Sequence, residues 1–398
     1  MKKLKLVTNN SPQEENKSLA QIIKWLNDDI LKVNSIILDK MTSKVPLISQ
    51  LSGYIISSGG KRIRPLLTLA TSRLCKYNGE RHISLAASIE FIHTATLLHD
   101  DVVDESLQRR GKTTANIVWD NKSSILVGDF LLSKAFRLMI KDGSHRCLDI
   151  LSKASIEISQ GEVLQLLTNN NIQTSESQYY DVIMAKTAEL FAAACNVSGV
   201  IAEVSNEKEN ALYEYGKYIG MAFQIIDDTL DYCSVNNDFG KNIGDDFKEG
   251  KVTIPIILAY TRSTKREKDF WLKVINEKNQ SDKDLSQALS IIKKYDAIKD
   301  CFEKARHFSL MAKDSLGPFE NCFEKQQLID LAQQPDHIKK IIADTISNAT
   351  DDPKKVANVG IHLLKFCNKH ELVRIRDNVK FYAEPFNARL YQDQTITA

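Results

Sequence analysis

Phe91-Ile92-His93-Thr94-Ala95-Thr96-Leu97-Leu98-His99-Asp100-Asp101-Val102-Val103-Asp104 runs from apolar residues straight into three acids. The same order recurs in Met221-Ala222-Phe223-Gln224-Ile225-Ile226-Asp227-Asp228-Thr229-Leu230-Asp231. On a helix, residues i and i+4 share a face and i+1 lies beside them, so each cluster turns several carboxylates toward one patch. Like charges at i, i+4 oppose an isolated helix by about 0.2–0.5 kcal/mol. Setting them among apolar residues costs more, because buried charges must be paired or metal-bound. One acidic triplet is ordinarily a solvated helix face. Two of them, each entered through a run that is apolar nearly all round, do not fit a solvated helix. Together they point to hard divalent cations and a polyanionic ligand, since Mg2+ is held by one or two carboxylates and completes its shell with waters and substrate phosphates.

Outward from these clusters the pattern is helical. Ile22, Ile23, Leu26, Ile30, Leu31 and Val33 recur at spacings of three and four, which predicts a helix from about Leu19. Further helices are predicted over about 45–57, 65–77, 83–104, 121–141, 145–168, 176–203 and 206–235, with Pro65 in a first turn that tolerates it. Ser58-Gly59-Gly60, Asn78-Gly79 and Arg109-Arg110-Gly111 read as breaks or loops. No alternating β-branched run is bounded by turns, and no repeat has a solenoid period. The expected fold is all-α, a large helical bundle whose acidic clusters face one another across a central cavity. Residues 1–18 read as a disordered tail and 19–334 as the helical domain. Residues 335–398 read as a helical extension, with Val356, Val359, Leu363 and Leu364 on one face, and carry no assigned role.

The 398 residues have a formal net charge of +2, which offers no basic excess for a nucleic-acid partner. The seven cysteines are odd in number and form no C-x-x-C pair, as expected of reduced thiols. The first eighteen residues lack the apolar stretch of a signal peptide, and no uncharged run reaches membrane-span length. A soluble, cytoplasmic protein is expected.

Each acidic cluster is trailed by basic residues. Gly59-Gly60-Lys61-Arg62-Ile63-Arg64-Pro65 places Lys61 and Arg64 on a glycine-hinged loop at a helix start, where backbone N–H groups and the helix dipole favour anions. Arg109-Arg110 follows the first cluster, and the loop from Gly240 to Lys251, with Lys241 and Lys251, follows the second. Singly, an Arg pair is ordinarily solvated and Gly-Gly-Lys is common. Jointly the alternation suits two diphosphates, one bridged to carboxylates by metal and one gripped by Arg and Lys.

These motifs resemble those of the trans-prenyltransferases, the polyprenyl diphosphate synthase family. The resemblance covers roughly residues 20–330: two D-D-x-x-D motifs (Asp100/Asp101/Asp104 and Asp227/Asp228/Asp231), G-G-K-R-x-R-P from Gly59 to Pro65, the pair Lys186-Thr187, the phrase from Phe223 to Asp228, and the loop from Gly240 to Lys251. It implies the isoprenoid synthase bundle and an Mg2+-dependent head-to-tail condensation of isopentenyl diphosphate with an allylic diphosphate such as farnesyl diphosphate, by a homodimer. The first motif would bind two Mg2+ and the second a third. Arg109, Lys186 and Lys241 would contact the allylic diphosphate, and Lys61, Arg64, His93 and Arg110 the isopentenyl diphosphate. Gln224 and Thr187 would line the reaction centre, with Lys251 in the loop that closes over it. By composition alone, a lone His on an apolar helix such as His93 is more often a core residue. The released diphosphate would take the proton, and no Ser/His/Asp or Cys/His arrangement suggests another base.

In the family, residues about one turn before the first Asp gate the product channel. Here they are Ala95 and Thr96, both small, where short-chain synthases often place an aromatic. The stretch from Glu90 to Asp101 looks most like octaprenyl-type synthases, which make the tail of a quinone. Release of such a product implies transient membrane contact. The alternatives are a short-chain synthase; a class I terpene cyclase, against which the intact second motif argues; and a non-catalytic synthase subunit, against which all six motif acids argue.

Overall fold

The computed structural model describes residues 17–57, 62–109, 112–233, 244–278, 280–281 and 283–333. Of the tail expected over 1–18, residues 1–16 lie outside these residues and 17–18 open the first helix; the extension expected over 335–398 lies wholly outside them. The chain runs through α1 (Lys17–Trp25), α2 (Asn27–Met41), α3 (Pro46–Ser57), α4 (Ile63–Leu74) and α5 (Arg81–Val103). A short antiparallel hairpin follows, β1 (Gln108–Arg109) with β2 (Lys112–Thr113), then α6 (Ala115–Val118), α7 (Asn121–Asp142), α8 (His145–Thr168) and α9 (Glu176–Ile183). A π-helical turn (Met184–Ala188) leads into α10 (Glu189–Ile201) and α11 (Asn206–Leu230). After α12 (Asp245–Lys248) come α13 (Ile254–Arg262), α14 (Lys265–Trp271), a second π turn (Leu272–Asn276), α15 (Asp284–Lys294), α16 (Ala297–Ser315) and α17 (Phe323–Ala332).

Local chemistry sets the starts. Asp120 caps α7 by accepting the Ser123 N–H at 2.6 Å. Ser175 and Gln178 form a reciprocal capping box at α9. Ser144 and Ser205 cap α8 and α11. Helix α5 is buried on nearly every side from Ile83 to Leu98, so it runs through the core, packed against α7, α4 and α2. Helix α11 packs on α10 and α16, and the Tyr215 hydroxyl reaches across to the Leu328 carbonyl at 2.8 Å.

Four expectations are revised. The helix expected over 65–77 starts at Ile63 and ends at Leu74, where Lys76 takes a positive φ of 55°. The helix expected over 176–203 is broken by the π turn, which inserts an extra residue into the winding. The helix expected to 235 stops at Leu230, so Asp231 caps its C-terminus as Asp104 caps that of α5. Arg109, expected in a loop, pairs with Lys112 across the hairpin, while Arg110 and Gly111 lie outside the described residues.

Glycines let α11 lie close to the chain before it. A Cβ on Gly216 would stand 2.4 Å from the Phe191 carbonyl oxygen, and one on Gly220 would stand 2.6 Å from Ala188 Cα. Both obstacles are backbone and cannot swing aside. Gly216→Ala should therefore destabilise the protein by about 1–3 kcal/mol through overpacking. Gly53→Ala on α3, whose Cβ would meet nothing within 4 Å, should stabilise it by about 0.5–1 kcal/mol through helix propensity. Urea unfolding midpoints of the two variants check the pair; equal shifts would refute the close-approach account.

Candidate active site

Both motifs end their helices, and a carboxylate at a helix C-terminus opposes the macrodipole by about 0.3–1 kcal/mol. Neighbouring elements supply the compensation. Asp101 is 1% exposed, and its Oδ1 accepts the Arg109 Nε–H at 2.8 Å. The hairpin turns Arg109 back onto α5. It is pinned by the Tyr54 hydroxyl, which donates to the Thr113 carbonyl at 2.6 Å. Asn116 Nδ2 donates to the Asp101 carbonyl at 3.1 Å. Burial raises the Asp101 carboxyl above the usual range even against Arg109.

Asp104 accepts from Lys251 Nζ at 2.8 Å, and Lys251 also meets Glu249 at 2.7 Å. Burial alone would lower the Lys251 ammonium; Asp104, Asp246 and Glu249 outweigh it and hold it above its ordinary value. Asp100 lies 3.8 Å from Lys186 Nζ, which donates to Glu162 at 2.6 Å. Glu162 is pushed up to about 7 by burial and Asp100, against the pull of Lys186. Each acid of the first motif thus faces a cation from a different element.

The second motif is held differently. Asp228 is buried, and each of its oxygens accepts from a neutral group: Oδ2 from the Tyr179 hydroxyl at 2.7 Å, Oδ1 from Gln224 Nε2 at 2.7 Å. The Thr187 hydroxyl donates to Gln224 Oε1 at 2.8 Å. Burial, then Asp246, push the Asp228 carboxyl up to about 7, against the hydrogen bond from Tyr179. Asp231 Oδ2 accepts the Asp246 N–H at 3.1 Å, and its carbonyl accepts the Gly244 N–H at 2.9 Å. Asp227 is half-buried on the same helix.

One dipeptide bridges the two motifs: Lys186 reaches Asp100 while Thr187 reaches Gln224. The π turn presents both, and Gly161 of α8 lets it approach, since a Cβ there would stand 2.6 Å from the Lys186 amide nitrogen. The Arg64 guanidinium lies over the Phe191 ring at 4.4 Å, and Phe191 packs on Phe223 at 5.5 Å. His93 is half-buried on α5, with its carbonyl accepting from the Thr96 hydroxyl at 2.8 Å. Ala95 is 1% exposed. Lys61, Arg110 and Lys241 lie outside the described residues. Glu162, Tyr179 and Asp246 join the site without having been singled out from sequence; the one signal for Tyr179 is its place seven residues, about two turns, before Lys186.

Among the described residues, no three His, Cys, Asp or Glu side chains converge into a ligand cluster, and in the first motif a cation stands beside each acid. The donors are carboxylate oxygens, which suit Mg2+ or another hard divalent ion. The interleaved cations match the phosphate oxygens that such an ion would share. No helix among the described residues is long and apolar enough to cross a membrane.

The polyprenyl synthetase family model matches residues 45–292. Octaprenyl diphosphate synthase of Escherichia coli is 49% identical over 247 residues, 62% of this chain and 76% of that protein. Its counterpart in Haemophilus influenzae is 39% identical over 315 residues, 79% of this chain and 95% of that protein. The crystal structure of a decaprenyl diphosphate synthase from Rhodobacter capsulatus superimposes with a TM-score of 0.77 at 43% identity, covering 80% of this chain and 99% of that one. A polyprenyl synthase from Caulobacter crescentus, crystallised with calcium and isoprenyl diphosphate, gives a TM-score of 0.78 at 42% identity, covering 80% and 97%. With family-wide similarity across most of its length and a site of interleaved acids and cations, the chain belongs to the polyprenyl synthetase family.

Proposed function

We propose that this enzyme joins isopentenyl diphosphate head to tail (1'-4) to an allylic diphosphate such as farnesyl diphosphate, repeatedly, to build a long-chain all-trans polyprenyl diphosphate. The observation that carries this reading is the pairing of Asp100, Asp101 and Asp104 with Lys186, Arg109 and Lys251. Such a set can exchange partners with a metal diphosphate: the acids serve the metal and the cations serve the phosphate oxygens.

Asp100, Asp101, Asp104, Asp227, Asp228 and Asp231 would hold Mg2+, three ions in all. Mg2+, when bound, neutralises the charge that develops on the leaving diphosphate. Arg109, Lys186 and Lys241 grip that diphosphate directly, and Lys251 brings its loop over it. The allylic C1 becomes cationic as the carbon–oxygen bond breaks. The oxygens of Thr187 and Gln224 are dipoles aimed at that charge. Arg64 and His93, with Lys61 and Arg110, position isopentenyl diphosphate so that its double bond attacks C1. The proton lost from its C2 passes to the released diphosphate.

Ala95 and Thr96 are small where a product channel along α5 would run, and relatives named octaprenyl and decaprenyl synthases support a long product. We assign that product to a quinone side chain. The exposed apolar side chains Leu126, Val163, Leu166 and Leu167 on α7 and α8 support a homodimer, working in the cytoplasm with transient membrane contact at product release.

Asp101→Asn keeps the side-chain shape and removes its charge. Turnover should fall by about 10²–10³-fold, with the helical circular dichroism unchanged; near-normal turnover would end the metal assignment. Ala95→Phe puts a ring one turn below the acids, where packed walls resist added volume. Mass spectrometry of its dephosphorylated products should show chains cut to about 15–20 carbons, one or two ~5.4 Å turns deep. An unchanged length would show that the channel does not follow this helix face.

A further inference from the structure

Tyr179 has no part in the mechanism above, yet its hydroxyl lies in the interior of the site. It stands on α9, 4% exposed, and donates to Asp228 Oδ2 at 2.7 Å. Burial, then Asp228, hold the phenol well above its ordinary value, so it keeps its proton and can donate it to the carboxylate. Asp228 Oδ1 accepts from Gln224 Nε2 at 2.7 Å, and Gln224 Oε1 accepts from Thr187 at 2.8 Å.

The two ends of a carboxamide are nearly the same size, and only its partners decide which way it faces. An acceptor on one side and a hydroxyl on the other set Gln224 with its N–H toward Asp228 and its oxygen toward Thr187. That order holds only while Asp228 cannot rotate. Tyr179 supplies the restraint: with one carboxylate oxygen fixed on the phenol, the other must face Gln224.

We propose that Tyr179 is a positioning residue which, through Asp228, fixes the orientation of the Gln224 carboxamide and so aims the oxygens of Gln224 and Thr187 at the reacting allylic carbon. This rests on the prenyl transfer proposed above. It assigns Tyr179 to the chemical step, not to substrate binding, because nothing in the relay is a cation that would grip a phosphate.

Tyr179→Phe keeps the ring and removes the donor. With farnesyl diphosphate, isopentenyl diphosphate and Mg2+, kcat should fall by about 10- to 100-fold, as for a misaimed reacting group. KM for isopentenyl diphosphate should stay within about two-fold, and so should Mn2+ binding in the presence of inorganic diphosphate, followed by electron paramagnetic resonance, because the variant keeps every metal-holding carboxylate, Asp228 included, and the relay ends on a neutral carboxamide. The double variant Tyr179→Phe with Gln224→Leu should be no slower than Gln224→Leu alone, since both break one relay. Retained kcat in Tyr179→Phe would overturn the role. So would additive losses in the double variant, or a fall in Mn2+ binding or thermal midpoint that matches the fall in kcat. The wild type separates the two levels: no product from it would sink the proposed reaction, whereas an active wild type with an unaffected Tyr179→Phe sinks only the positioning role.

Discussion

Asp101, Asp228 and Asp231 are buried in a helical interior, and an ionised carboxylate there costs several kcal/mol unless it is answered by well-placed partners. Apart from Gln224, one turn before Asp228 on α11, the partners do not come from the motif's own helix, whose dipole at that end is of the wrong sign to help a carboxylate. They arrive from elsewhere: Arg109 from a hairpin, Lys251 from the loop after α12, Tyr179 from α9, a backbone N–H from Asp246. The hairpin register, the loop path and the pinning by Tyr54 all serve that demand. Losing one partner of a buried pair leaves the other charge uncompensated, at a cost of about 3–5 kcal/mol, so the acids constrain the fold as strongly as the fold places the acids.

A second constraint is distance. Thr187 and Gln224 meet at 2.8 Å only because α11 lies almost on the backbone of α10 and the π turn, at Gly216 and Gly220. Gly161 does the same for α8, bringing Glu162 onto Lys186 at 2.6 Å. The π turn then carries Lys186 toward one motif and Thr187 toward the other.

Much of this was legible in the sequence where the signal is local. The apolar run through Phe91 and Leu98 marked α5 as a core helix, the cap residues at Ser144, Ser175 and Ser205 sit where helices begin, and the two acidic clusters marked the site. What was not legible depends on tertiary geometry. The residues from Met184 to Ala188 carry an ordinary helical pattern, and the π turn is imposed by packing against α8 and α11. Tyr179 reads as an apolar-face residue until Asp228 is seen opposite its hydroxyl. Glu162 reads as a solvated acid until Gly161 brings it against Lys186. Pairs such as Lys251 with Asp104 join residues far apart in the chain, and no periodicity connects them.

The two motifs differ in what answers their charge. In the first, Asp100, Asp101 and Asp104 each face a cation. In the second, Asp228 is answered by a phenol and a carboxamide. A cation beside a carboxylate can turn to a phosphate oxygen while the carboxylate turns to a metal, so the first motif can trade partners when a polyanion arrives. Neutral donors have no such alternative; they hold geometry and leave the charge uncancelled. That is why burial and Asp246 raise the Asp228 carboxyl to about 7, and why a divalent ion nearby would be favoured: it relieves the like-charge repulsion that the neutral donors cannot. The first motif is thus arranged to exchange partners and the second to keep its shape, and Thr187 and Gln224, whose oxygens the proposed reaction would aim at the allylic carbon, are attached to the one that keeps its shape.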